Sequence, residues 1–358
     1  MKKFSHVITL LTALFCCGCQ SLCGTPDAKA DYKVLLLGDL HYDGQEYHTT
    51  PAASANRAKE RQRNFDMWQK ATPELLTLAA KYADKDVPFV AQVGDFTQGD
   101  CETVDLHVKM ITDAFNRIKS FFPNHKLLPV RGNHDIRMYK GNSTTPTIKA
   151  FFPRIAQELG VKEISGTYSL RQGKDLYIFF DSFVRGNASL KALEKILAEN
   201  TDARYTFFIT HLPVLNCCFG NPAWLAGNYK AVRELLLTRN AIIIAAHTHV
   251  PSLLQAERDG KRLTQVIVSS IGKNWRPNEV TGVYLSGYDK YLAKLGEAKI
   301  NAKKNKAAFD DMKTFKVSEF EVYQYATGFA LLKVGDQGVM IEYYTNDSGK
   351  PALIKKLR

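Results

Sequence analysis

Short apolar runs separated by longer mixed stretches set the rhythm of the chain. The runs are 33–37 (KVLLL), 88–93 (PFVAQV), 126–130 (KLLPV), 175–180 (DLYIFF), 205–210 (YTFFIT), 241–245 (AIIIA) and 264–269 (TQVIVS). They are short and apolar, which predicts strands. Between them apolar residues recur three and four apart. Thr72-Pro73-Glu74 places a proline and an acid in a first helical turn ahead of LLTLAAKYA, and 103–121, 188–199 and 229–238 read as further helices. Strand alternating with helix predicts an α/β fold. Past a lysine-rich segment at 287–316 the rhythm changes, and 328–334 (GFALLKV) and 338–344 (GVMIEYY) flank VGDQG as a hairpin. No period of roughly 20 to 50 residues marks a repeat array, so one domain is expected.

The polar residues fall where the apolar runs stop. Gly38-Asp39-Leu40-His41 follows KVLLL and Gly94-Asp95 follows PFVAQV. Asn133 and His134 follow KLLPV, His211 follows YTFFIT, and His247 and His249 follow AIIIA. In an open α/β sheet the carboxyl ends of the strands line one edge, where ligands bind. Any one of these residues has an ordinary reading as a turn residue or a structural histidine, but their shared placement points to one site. Two Asp, one Asn and several His supply oxygen and imidazole donors suited to manganese, iron or zinc. Two such ions about 3.5–4 Å apart need a carboxylate that touches both.

Composition adds less. A chain of 358 residues that is 45% apolar can build a large core, which excludes disorder over most of its length. The formal net charge of +12, from 48 basic and 36 acidic residues, hints at anionic partners. Its clearest cluster is Lys290, Lys294, Lys299, Lys303, Lys304, Lys306, Lys313 and Lys316. A solvated helical face explains that cluster more readily than a nucleic-acid patch, so nucleic acid is not the favoured partner. At the N-terminus Lys2 and Lys3 precede the apolar stretch Val7 to Phe15, which reads as an export signal over residues 1–18. Gly18-Cys19 resembles the lipobox at which bacterial lipoproteins are cut and lipidated, although Cys16 stands where leucine is usual. The expectation is a lipoprotein anchored through Cys19 and facing the periplasm or cell surface. The alternative is cleavage after Ala28-Lys29-Ala30, giving a soluble periplasmic or secreted protein. Removing Lys2 and Lys3 lowers the charge from +12 to +10. Cys16, Cys17, Cys19 and Cys23 belong to this leader, leaving Cys101, Cys217 and Cys218 in the body. A bridge from Cys101 to one of that pair is open, and a body without CxxC does not support a thiolate zinc site.

The ordered boxes resemble the calcineurin-like metallophosphoesterases, whose motifs run GDxH, GDxxxxG, GNH[DE], a lone His and GHxH. Here they stand as GDLH (38–41), GDFTQG (94–99), GNHD (132–135), His211 and AHTH (246–249). The resemblance implies a two-sheet αββα sandwich with its metal site at the carboxyl ends of the strands. Domain limits are expected at 32–346, after a linker 19–31, with an insert at about 273–327 and a basic tail 347–358. On the matching positions Asp39, His41 and His249 would hold one ion, Asn133, His211 and His247 the second, and Asp95 both. His134 would face the substrate, steadying phosphoryl oxygens or protonating the leaving group. The chain departs from the pattern in three places. Ala246 replaces a glycine. Gln98 stands where purple acid phosphatases carry a metal-bound tyrosine, so a redox-active iron centre is not expected. It is also where phosphoprotein phosphatases carry an Asp that orients the catalytic His, a task that falls here to Asp100 or Asp135.

The chemistry implied is hydrolysis of a phosphoester by a water held between two ions. Arg131 and Arg137, flanking GNHD, are candidates for contact with phosphate oxygens. The loop 42–64, with His48, Arg57, Arg61 and Arg63, is a candidate cleft wall, and the insert, with Trp275, Tyr284, Tyr288 and Tyr291, a candidate lid. A phosphomonoester is the first choice of substrate. A diester in nucleotides, nucleic acid or lipid headgroups is the second, and a non-catalytic binding module on the same fold is the rival from another class.

Overall fold

The computed structural model describes residues 31–184, 186–217, 229–271, 283–323, 327–345 and 348–358, and the backbone alone at 303 and 304. The leader with Cys19, the second cleavage site, Cys218 and Trp275 lie outside the described residues. One sheet contains β1 (Tyr32–Leu37), β2 (Phe89–Gln92), β3 (Lys126–Pro129), β12 (Phe329–Gly335), β13 (Gly338–Tyr344) and β14 (Leu353–Lys356), in the order β14-β13-β12-β1-β2-β3. The other contains β4 (Tyr168–Gln172), β5 (Asp175–Phe180), β6 (Thr206–Thr210), β7 (Ile242–Ala245), β8 (Ser252–Arg258), β9 (Lys261–Ile267), β10 (Val283–Ser286) and β11 (Lys316–Tyr323), in the order β10-β11-β8-β9-β7-β6-β5-β4. Strands β1, β2 and β3 run parallel, as do β5, β6, β7 and β9.

The continuous apolar runs are explained by burial on both faces. All six residues of β5 are buried. Tyr177 and Phe179 point into the core between the sheets, where they join Leu35, Leu128 and Phe207. Leu176, Ile178 and Phe180 point the other way, under Leu193 and Leu197 of α5 (Ala188–Glu199) and Val232 and Leu236 of α6 (Tyr229–Leu237). On the far side α2 (Ala71–Tyr82) and α3 (Val104–Lys119) bring Leu75, Leu76, Ile111 and Ala114 to the first sheet. The result is the expected αββα sandwich.

Several local expectations change. Residues 42–64 are not one long loop, because α1 (Ala55–Gln69) forms there, capped by Ser54, whose hydroxyl accepts from the Arg57 N–H. Its buried face is Arg61, Asn64 and Trp68, so a search for apolar periodicity passes over it. Counting α4 (Phe152–Leu159), the insert then forms α7 (Tyr288–Leu295), α8 (Glu297–Ile300) and α9 (Lys303–Met312), between β10 and β11 that extend the second sheet. Tyr291 is fully buried against Phe320, and Tyr288 packs on both rings, so these tyrosines fasten the insert to β11. Lys290, Lys294, Lys306, Lys313 and Lys316 are exposed. The expected basic tail contains β14, which pairs with β13. Cys101 and Cys217 are buried and free, so no bridge joins those two.

Candidate metal centre

The carboxyl ends of β1, β2, β3, β6 and β7 deliver their polar residues to one place between the sheets. Asp39, His41, Asp95 and His249 offer donor atoms within 4.8 Å of one another, and so do Asp95, His211 and His247. Around the second group His211 Nε2 lies 3.1 Å from Asn133 Oδ1, 3.2 Å from Asp95 Oδ2 and 3.1 Å from His247 Nδ1. In the first, His41 Nε2 is 3.4 Å from His249 Nε2 and 3.8 Å from Asp95 Oδ2, and His249 Nε2 is 3.7 Å from Asp39 Oδ1. All seven expected donors are therefore brought together, with Asp95 common to both groups.

Whether an ion suits this cluster can be tested on the polar atoms themselves. Asp39 is fully buried and its Oδ2 has no hydrogen-bond partner. Burial pushes its carboxyl up to about 7, with the His211 charge opposing and Asp95 adding to the rise. A buried carboxylate with an oxygen to spare is costly unless a cation answers it. Burial also works against charge on Asp95, yet His211 and His134 hold it well below the usual carboxylate range. Burial pulls His211 down, but Asp95 outweighs it and raises the imidazole to about 9. His211 Nδ1 donates to the Val93 carbonyl at 3.0 Å, which aims Nε2 into the cluster, the arrangement a metal-ligating histidine needs. The donor set fits a metal pair.

Backbone strain concentrates on the same residues. His41, Asp95, His247 and His249 have φ of 43°, 50°, 68° and 57°, a left-handed region that residues with a Cβ seldom occupy. The glycines beside them serve close approach. A Cβ on Gly132 would lie 2.1 Å from the Asp95 nitrogen, and one on Gly94, itself at φ 87°, would lie 2.3 Å from His211 Nδ1. Ala246 needs no such allowance, since it is buried in the core with its N–H donating to the His211 carbonyl.

His134 stands edge-on to His41 with ring centroids 4.5 Å apart. Its Nδ1 donates to the Gln98 carbonyl at 3.0 Å, and Arg137 Nη1 is 3.3 Å from its Nε2. The two carboxylates expected to orient it do otherwise. Asp135 accepts from the N–H groups of Phe96, Thr97 and Gly132, tying two boxes together, and Asp100 receives Arg57 and Arg137. The orienting group is a main-chain carbonyl, which side-chain identity cannot announce. Arg131 is likewise displaced from its expected role. It is 3% exposed, pairs with Asp181 at 2.7 Å and bonds Thr147 at 2.8 Å, so it faces the fold and not a substrate. Arg57 reaches the Met138 and Tyr139 carbonyls, Arg61 those of Thr50 and Asp100, and His48 pairs with Asp43.

Helix α1 covers one side of the centre. Trp68 Nε1 donates to the Leu40 carbonyl at 3.0 Å, Asn64 Nδ2 lies 2.5 Å from Gln98 Oε1, and Glu60 pairs with Arg137 at 3.0 Å. Sequence reading passed over Glu60 and Asn64. Serine 54 ahead of a stretch without glycine or proline was the available signal.

The model of the calcineurin-like phosphoesterases matches residues 32–251. Among solved structures, a dimetal phosphatase from Danio rerio is similar over 92% of this chain and 99% of its own, with a TM-score of 0.52 and 12% identity. GAP50, the anchor in the inner membrane complex of Plasmodium, is similar over 92% of this chain and 89% of its own, with a TM-score of 0.53 and 12% identity. Likeness at that identity speaks for the fold alone. No curated protein matches in sequence.

Proposed function

The chain belongs to the calcineurin-like phosphoesterase family, metal-dependent hydrolases of phosphoesters, and from that premise we propose a phosphomonoesterase that works with two metal ions. The observation that carries the two-ion reading is Asp95, the carboxylate shared by both donor groups. Asp39, His41 and His249 would hold one ion, Asn133, His211 and His247 the other, and Asp95 both. Oxygen and imidazole donors without thiolate suit manganese, iron or zinc. Ions held there would supply Lewis-acid polarisation of the phosphoryl oxygens and a lowered pKa for an attacking water.

The remaining steps belong to the chain's own residues. Donation from Nδ1 to the Gln98 carbonyl leaves His134 Nε2 to exchange a proton with the leaving oxygen. Arg137, at that nitrogen and anchored by Glu60 and Asp100, would steady a phosphoryl oxygen. The guanidinium groups on this side support a monoester, which carries more charge than a diester. The sequence of the leader supports export, with Cys19 as the lipid-bearing residue. Among the described residues no helix is long and apolar enough to cross a membrane.

The experiment is hydrolysis of p-nitrophenyl phosphate and bis-p-nitrophenyl phosphate by the full-length protein, metal-stripped and then reloaded with manganese, zinc or iron, alongside Asp95→Asn. Metal-dependent release that prefers the monoester and is lost in Asp95→Asn is expected. Preference for the diester would replace the phosphatase by a diesterase. Absence of turnover together with absence of bound metal would return the non-catalytic module.

A further inference from the structure

On the side of the centre that α1 covers, two carboxylates answer the guanidinium groups of Arg57 and Arg137, and a further guanidinium, that of Arg63, stands beside them. Asp100 is shared by Arg57 at 2.9 Å and Arg137 at 2.8 Å, and Glu60 takes Arg137 at 3.0 Å. The third cation, Arg63, forms no ion pair among the described residues. Its Nε and Nη2 lie 3.2 and 3.1 Å from Asn64 Oδ1, a neutral acceptor, and Asn64 is itself fixed to Gln98. Arg63 is half-buried, and burial together with the Arg137 charge lowers its pKa while Glu60 opposes. Its charge is felt at His41, one of the expected ligands, and at Glu60. A partly desolvated guanidinium on the helix that covers the centre, held by a neutral acceptor and joined through Asn64 to Gln98, whose carbonyl holds His134, has no ion pair among the described residues and suits an anion.

We propose that Arg63 selects phosphomonoesters over diesters, its guanidinium pairing with the third non-bridging oxygen and the second negative charge that only a monoester has. This rests on the phosphomonoesterase reading above and names a specificity residue within it. The physical basis is that either ester has two non-bridging oxygens to offer to a pair of ions, whereas only a monoester has a third. A donor placed at that third oxygen, where a diester presents a carbon substituent instead, adds discrimination. Arginine suits that place because its charge is fixed and its planar fork matches phosphate. Glu60 answers it only in part, since its ion pair is with Arg137.

The test is equilibrium binding, which does not depend on turnover. Inorganic phosphate and dimethyl phosphate are titrated calorimetrically into the metal-loaded wild type, Arg63→Gln and Arg63→Lys, with metal content and melting temperature recorded for each. Arg63→Gln is expected to weaken phosphate binding on the order of 10- to 100-fold, and at least about tenfold more than dimethyl phosphate. Arg63→Lys, which keeps the charge and loses the fork, should fall between, and it carries the comparison if Arg63→Gln loses its ions or its fold. Equal losses for the two ligands, or no loss for phosphate, would overturn the role of Arg63. A wild type that binds dimethyl phosphate as tightly as phosphate, or binds neither, would overturn the phosphomonoesterase reading itself.

Discussion

Arg131→Met separates a structural arginine from a substrate-binding one. Arg131 is 3% exposed and gives the Nη2 and Nε edge of its guanidinium to Asp181, at 2.7 and 3.3 Å, and Nη1 to Thr147. Removing one partner of such a buried pair leaves the other charge unanswered and costs about 3–5 kcal/mol. At roughly 2 °C per kcal/mol for a chain of this size, melting should fall by about 6–10 °C. The pH dependence has a definite sign. Burial already raises the Asp181 carboxyl, with Arg131 opposing, and the variant removes that opposition. The folded pKa then lies further above the unfolded value of about 3.9, the folded state binds more protons between the two values, and stability rises as the pH falls through the folded pKa toward the unfolded one. The deficit should therefore be largest near neutrality and shrink toward acid. Adding Asp181→Asn, which keeps an acceptor for the Phe183 N–H, should recover much of the loss. The assay is thermal and urea unfolding of wild type, single and double variants from pH 5 to 8, with KM measured well below the melting range. KM should move by no more than about twofold. An Arg131→Met protein that melts with the wild type but binds substrate poorly would refute the reasoning.

Gly132→Ala should cost the centre its metal, because the added Cβ would meet the Asp95 main chain at 2.1 Å. Metal content after dialysis checks it, and full occupancy would contradict the geometry. His107 is buried beside Thr97 and Met138, and burial together with the His48 charge lowers its pKa to about 4. The unfolded chain binds its proton near 6.5, so stability is held above that pH and lost between about 6.5 and 4, by up to ~3 kcal/mol. The stability difference between wild type and His107→Gln should change over that window, and a constant difference would count against it. Asp135→Asn should loosen the link between the GD and GNHD loops, since an amide cannot accept from the N–H groups of Phe96, Thr97 and Gly132 as a carboxylate does. A loss of about 2–3 kcal/mol in urea unfolding is expected.

The parts of the molecule that were legible in the sequence share a physical cause. DLYIFF, AIIIA and their like are apolar because both faces of those strands meet a core, and wherever such a run stopped, the next polar residue lay at a sheet edge. That made the assembly of Asp39, His41, Asp95, Asn133, His211, His247 and His249 visible without coordinates. The side of the site covered by α1 was not visible, for the converse reason. A helix that packs against charge buries Arg61 and Asn64, so its inward face carries no apolar period to find. The group holding His134 is a carbonyl, and every residue has one. Arg131 and Arg63 look alike in sequence, each beside a functional stretch. Only their ion pairs tell them apart, since Arg131 pairs with Asp181 and Arg63 forms none among the described residues. Ligand residues follow from where the core ends, whereas substrate preference follows from which charges the fold leaves unanswered, and that balance exists only after distant segments have met.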